Sequence, residues 1–446
     1  MYIFLKNDEY VSILAMLVLS GLNQMTTAVM LVFEFIIMYH IIIVVEIKGG
    51  SMHILFDFVS LQDDYVNGGN EYVFRVLQEV LKNKRIKISS LIDRKFSVPP
   101  KIQKIMQENF LDVIYTDELS DKNLEDKKID ALYIGIAQRF FNYDIEKLSV
   151  KIFITIHDVG DYSLVYDGNF NSKKRYEFEK KYVVEKNFFS MIKEILQRKY
   201  HLLTKENTIK KEYEKLSKII EKKNVHIITV SEYTKVAVEY FFENIPNSIS
   251  VFSAPYKNPC SDKSGHITNI QLSELIDSKD DYFIMLNCSR RNKNAALFLE
   301  TWSVFLKKND RKFKALLLGN IHLSEENIIT IPYLNDSDLE LALKNAYALV
   351  YPSVCEGYGY PPMEAMKYGT PVVCSNVTSL PEVYKNSVLY FSPFYPEDLF
   401  RALTKMTEEH EKYRKLSLEY YEILHKKQES DFQNLINFIS CLDENL

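Results

Sequence analysis

At 446 residues the chain is long enough for two domains, each with a full apolar core. Hydrophobic residues at 47% and charged residues at 26% exclude a disordered or fibrous chain, and a net charge of −5 gives no electrostatic case for nucleic acid. The five cysteines (Cys260, Cys288, Cys355, Cys374 and Cys441) are odd in number and lack metal-ligand spacing, which suits a reducing compartment better than a disulfide scaffold.

The first 51 residues carry two strongly apolar runs, 11–22 and 28–45. The second nears the roughly 20 residues needed to cross a bilayer, but Glu34 and His40 interrupt it. Two readings follow: a membrane anchor or hairpin, or a natural start at Met52, because Met52-His-Ile-Leu-Phe-Asp57 reads as an opening strand at its initiator. From there apolar strands alternate with amphipathic helices, which predicts an α/β chain with parallel sheets covered on both faces.

In the first half, strands are expected at 53–58, 86–92, 131–136, 151–156 and 226–230. The first leads into Asn67-Gly-Gly-Asn-Glu71, read as a loop, and a helical run from Tyr72 to Leu81. The fourth ends in His157-Asp158, and the fifth enters a Ser231-Glu232 helix cap. The intervening stretch 173–223 holds 16 Lys and Arg against 8 Asp and Glu. With Phe178, Tyr182, Phe189, Ile192, Leu196 and Leu203 at helical spacing, it is either an ordinary helix with a solvated basic face or a dock for an anionic membrane surface. Prolines 246, 255 and 259 break the periodicity. The predicted layout is an N-terminal domain over 52–248, a linker over 249–278, a C-terminal domain over 279–425 and a closing helix over 426–446.

The second half predicts strands at 282–287, 314–318, 348–351 and 371–374 and a helical tail over 395–439. Asp336-Ser-Asp338 reads as an N-cap with an acidic first turn for a helix over 339–347, rather than as a metal site. The most informative segment is Tyr351-Pro-Ser-Val-Cys-Glu-Gly-Tyr-Gly-Tyr-Pro-Pro-Met-Glu-Ala-Met-Lys-Tyr-Gly-Thr-Pro-Val-Val373: strand, glycine loop, helix, strand. Pro361 and Pro362 mark the helix start. Gly357 and Gly359 let backbone amides approach a ligand, and the helix N-terminus beside them favours an anion. Glu356 and Glu364 are eight residues apart, about 12 Å along a helix at roughly 1.5 Å per residue. That is too far for the roughly 5 Å carboxylate pair of a retaining glycosidase. They suit different parts of one long ligand with an anionic middle, the shape of a nucleotide diphosphate sugar. Ser379 followed by Glu382 reads as a capping box.

This segment, continuing through Ser375-Asn-Val-Thr-Ser-Leu-Pro-Glu-Val383, resembles the Glu-x7-Glu signature of retaining GT-B glycosyltransferases of the family 4 (group 1) type. The resemblance implies two Rossmann-like parallel-sheet domains facing a central cleft, with a C-terminal helix crossing back to the first. It implies transfer of a hexose or N-acetylhexosamine from a nucleotide diphosphate donor to a saccharide or lipid-linked hydroxyl acceptor, in bacterial surface polysaccharide or glycoconjugate assembly. Work on the cytoplasmic side, no cofactor and no required metal go with it. Glu356 would then meet the donor sugar hydroxyls and Glu364 the ribose. Tyr282-Phe-Ile-Met-Leu-Asn-Cys-Ser-Arg-Arg-Asn-Lys-Asn294 is similar to the family's strand and basic loop, so Arg290 or Arg291, with Lys293, would neutralise the diphosphate. The choice between the arginines stays open, because the loop is one residue shorter than the family pattern. Amides at Tyr358, Gly359 and Tyr360 would complete the cradle. Gly68 and Gly69 would approach the donor phosphate or acceptor, and His157 would face the sugar across the cleft. A GT-B-shaped partner subunit without activity and a nucleotide-sugar epimerase are the alternatives.

Overall fold

The computed structural model describes residues 52–62, 68–163, 207–256, 267–321, 323 and 325–440. The apolar 1–51 extension, residues 173–206 of the basic stretch, Asn67, Cys260 and Cys441 lie outside them. Among the described residues no helix is long and apolar enough to cross a membrane.

Two parallel sheets organise the chain. The first has the order β3-β2-β1-β4-β5-β6-β7, built from β1 (Met52–Asp57), β2 (Ile86–Ile92), β3 (Asp112–Tyr115), β4 (Ala131–Ile134), β5 (Lys151–Ile156), β6 (Val225–Thr229) and β7 (Ser250–Val251). The second has the order β10-β9-β8-β11-β12-β13, from β8 (Tyr282–Met285), β9 (Lys314–Leu318), β10 (Ile328–Ile331), β11 (Ala348–Tyr351), β12 (Val372–Ser375) and β13 (Leu389–Phe391). The strand order reverses between β1 and β4 and again between β8 and β11. At such points the loops leaving the C-terminal strand ends diverge and open a crevice for a ligand.

All nine expected strands are present. Two are shorter than expected, for local reasons. β4 stops at Ile134 because the Gly135 N–H turns to the buried Asp57 carboxylate (3.0 Å). β8 ends before Asn287, whose φ of 57° breaks extension. The four unexpected strands, β3, β7, β10 and β13, are the four sheet edges. β7 and helix α4 (Ile270–Asp277, below) both fall in the stretch expected to be linker.

The helices that position the site follow in order. α1 (Gly68–Val80) buries Tyr72, Val73, Val76, Leu77 and Val80 on one face. Gly68 and Gly69 form its first turn, so they are not the loop expected from their sequence. α2 spans 207–220 and α3 Glu232–Phe241, followed by α4 (Ile270–Asp277). α5 (Ala295–Lys308), α6 (Asp336–Asn345), α7 (Tyr360–Met366) and α8 (Leu380–Tyr384) lie between strands of the second sheet. The tail divides at Glu409 into α9 (Pro396–Glu408) and α10 (His410–Ile439), so the closing helix starts well before residue 426. α10 crosses back as expected: Phe438 packs on Phe153 of β5 (ring centroids 5.4 Å), and Asp431 accepts the Ser253 N–H (3.0 Å).

The chain's single tryptophan, Trp302 on α5, is 1% exposed and stacks on Phe298 at 5.3 Å within an aromatic cluster that includes Phe283 and Phe305. Trp302→Ala is expected to cost about 3–5 kcal/mol. The check is a lower urea midpoint, followed by circular dichroism, with an unchanged denaturant slope.

Candidate active site

The loops after β8 and β11, paired strands at the reversal of the second sheet, bring Lys293 and Glu356 together. Lys293 closes a short 3-10 turn, Arg291–Lys293, and its Nζ donates to the Tyr351 hydroxyl (2.7 Å) and to Glu356 Oε1. Ser353 Oγ donates to the same carboxylate oxygen, and the Glu356 N–H donates to Thr378 Oγ1 (3.1 Å). The Lys293 and Glu356 side chains are only 7% and 12% exposed, so each charge depends on the other. Val354 N–H to Asn292 O (2.8 Å) ties the two loops together. Arg290, half-buried, and Arg291, exposed, flank this pair on the same turn.

The glycine loop is held by its carbonyls. Glu356 O accepts from Ser379 Oγ (2.9 Å), Gly357 O from Ser231 Oγ (2.8 Å) and Gly359 O from the Tyr384 hydroxyl. Gly359, at φ 84°, takes a conformation that disfavours any side chain. None of the N–H groups of Gly357, Tyr358, Gly359 and Tyr360 donates to a described residue. With the N-terminal end of α7 they form a patch of positive potential beside Lys293. The Tyr358 and Tyr360 rings pack into the protein, and burial pushes both phenols up. Their share in the glycine-loop cradle is therefore through the main chain.

Glu364, one turn into α7, lines a pocket with Tyr256, Asp336, Leu339, Tyr360 and Tyr368. Neither Glu356 nor Lys293 belongs to its walls. The buried Tyr360 hydroxyl meets no hydrogen-bond partner among the described residues.

Across from this stands the end of β5. His157 Nε2 lies 2.8 Å from Gly135 O. A carbonyl only accepts, so Nε2 carries the proton and Nδ1 is an acceptor. Burial lowers the imidazole pKa to about 4, so the ring is neutral at pH 7. Tyr72 packs against it in a T-shaped arrangement, ring centroids 4.8 Å apart. Behind Gly135 sits Asp57, which accepts from Ser60 N–H (2.8 Å), Ser60 Oγ (2.5 Å) and Gly135 N–H and is raised to about 6 by burial. A carboxylate in the apolar run Phe56-Asp57-Phe58 was the sequence signal for this support, which the motif reading passed over.

The two domains touch at this rim. The Glu382 carboxylate accepts the Glu232 and Tyr233 N–H groups (2.8 Å each) across it, while within the first domain Thr234 Oγ1 donates to His157 O (3.1 Å). Ser379 and Glu382 are therefore not a capping box: Ser379 makes no side-chain cap and serves the glycine loop, while Glu382 reaches the other domain. A second correction concerns α6. Its cap is Asn335, not Asp336, and Asp338 is a strut accepting from Thr268 N–H (3.0 Å), Thr268 Oγ1 (2.6 Å) and Asn269 N–H (3.0 Å). Cys288, Cys355 and Cys374 are buried and in no disulfide. Burial pushes the Cys288 and Cys374 thiols up, away from nucleophilic use.

Residues 267–422 match the family model described as glycosyl transferases group 1. The chain is 28% identical over 189 residues to the O-antigen chain mannosyltransferase RfbU of Salmonella typhimurium, covering 40% of this chain and 50% of that protein. Over 61 residues it is 52% identical to O-antigen chain mannosyltransferase B of Escherichia coli, 14% of this chain and 16% of the relative. The matches thus span half or less of these relatives' lengths. Among solved structures, Anabaena Alr3699/HepE in complex with UDP-glucose superposes with a TM-score of 0.59 at 11% identity, covering 87% of this chain and 99% of that one. WaaG, a glycosyltransferase involved in lipopolysaccharide biosynthesis, gives 0.53 at 12% identity over 86% and 98%. At those identities the likeness is one of fold. The chain has the two-domain GT-B architecture, and its residues 267–422 are a group 1 glycosyl transferase domain.

Proposed function

We propose that the protein transfers a hexosyl group from a nucleotide diphosphate sugar to a hydroxyl of a saccharide or lipid-linked acceptor, in the assembly of a bacterial surface polysaccharide. The mannosyltransferase names of the relatives favour mannose as the sugar. The observation that carries the reading is the buried Lys293–Glu356 pair beside four N–H groups at a helix start that donate to none of the described residues.

The difficult part of such a transfer is the negative charge growing on the departing diphosphate. Lys293, the amides of 357–360 and the α7 dipole are fixed before the reaction and oppose that charge without reorganising, and Arg290 or Arg291 adds positive charge beside them. Arginine can hold two phosphate oxygens at once, whereas lysine acts as a point charge. Glu356 accepts from donor sugar hydroxyls and Glu364 from the ribose. Neutral His157 offers Nδ1 to a sugar hydroxyl from the opposite wall. The acceptor enters by the N-terminal domain, past α1. Its oxygen bonds to the anomeric carbon on the face the diphosphate leaves, so configuration is retained, and its proton passes to the departing oxygen. No step is assigned to a metal.

The test is nucleoside diphosphate release from a panel of mannose, glucose and N-acetylglucosamine nucleotides, with and without acceptor, in EDTA. Release that requires acceptor is expected. Interconversion of the nucleotide sugar without acceptor would identify an epimerase, and silence with every donor would identify a partner subunit.

A further inference from the structure

We infer that Glu382 is a latch that holds the two domains closed at the reacting edge, and so a positioning residue for the transfer proposed above, on which its kinetic part rests. Glu382 belongs to α8 of the second domain, yet both its carboxylate oxygens lie on the first domain: Oε1 on the Glu232 N–H and Oε2 on the Tyr233 N–H, each at 2.8 Å. These are the first two amides of α3, which have no partner inside their own helix. The positive end of the helix favours a carboxylate there. The chain separations, 150 and 149 residues, make this a contact that exists only when the domains meet.

The same helical turn reaches both sides of the cleft. Ser231 caps α3 through Thr234 N–H (3.2 Å) and donates to Gly357 O, next to Glu356. Thr234 Oγ1 donates to His157 O. Glu382 thus fixes the turn that sets the Glu356 loop against the His157 loop. It supplies the charged member of this set of contacts, at a partly exposed position.

The test is amide hydrogen exchange in the full chain, wild type against Glu382→Gln and Glu382→Ala, with circular dichroism as the fold control. Exchange at Glu232 and Tyr233 should rise about tenfold or more in Glu382→Ala, the factor for losing a charge-assisted contact. Glu382→Gln, which keeps one acceptor oxygen, should fall between. Acceptor-dependent kcat should drop about tenfold in Glu382→Ala, while affinity for nucleoside diphosphate, held by the second domain, stays within about threefold. Unchanged protection in Glu382→Ala would overturn the latch, as would lost protection with normal kcat. If wild type turns over no donor, the transferase proposal fails and the exchange result alone decides the latch.

Discussion

Lys293→Ala and Glu356→Ala are each expected to lower acceptor-dependent turnover by roughly 100-fold or more, the scale for losing one preorganised charge-stabilising group. Each also leaves its partner as an unpaired charge, because the two side chains are almost wholly enclosed. Breaking a buried pair from one side costs about 3–5 kcal/mol. The double variant Lys293→Met with Glu356→Leu removes both charges at similar volume. Its stability should return to within about 1–4 kcal/mol of wild type, on either side, while its activity stays lost. Urea melts with turnover assays separate the two effects. Near-normal turnover in both single variants would leave the pair a structural ion pair and nothing more.

Gly357→Ala should be nearly as damaging to turnover, for a steric reason. A Cβ at this position would lie 1.9 Å from His157 O and 2.8 Å from the His157 carbonyl carbon, both backbone atoms. One loop must retreat, and a displacement of about 1 Å at a reacting centre can cost on the order of 100-fold. Gly68→Ala is the contrast. Its Cβ would meet the Tyr360 ring at 3.6 Å, an ordinary contact, and Gly68 lies in a helical turn. It should keep its thermal midpoint, since nothing has to move to admit the methyl group. Initial rates of both variants, with thermal melts to confirm folding, check the pair.

The central strands were legible because a strand covered on both faces is mostly apolar, as in Ile152-Phe-Ile-Thr-Ile156. The edges were not. Asp112–Tyr115 has one fully buried residue, Ile114, and Ser250–Val251 is only two residues long, so neither leaves a periodic trace. The Lys293–Glu356 meeting could be anticipated because each sits in its own local motif at a strand end. Glu382 could not: its spacing from Ser379 satisfies a local capping rule, and nothing nearby in sequence reports a partner 150 residues away. Asp338 shows the same limit. Its Asp-x-Asp setting reads locally, while its role in bracing Thr268 and Asn269 depends on how α4 packs against α6.

The most direct measurement is calorimetric titration of a nucleoside diphosphate into the full chain and into Lys293→Ala, both in EDTA. Saturable binding to the wild type, weakened at least about tenfold in the variant, is the expected result, because a charged hydrogen bond to phosphate is lost. Binding of equal strength to both proteins would contradict a phosphate cradle built on Lys293 and the glycine-loop amides, and so would a complete lack of binding to the wild type.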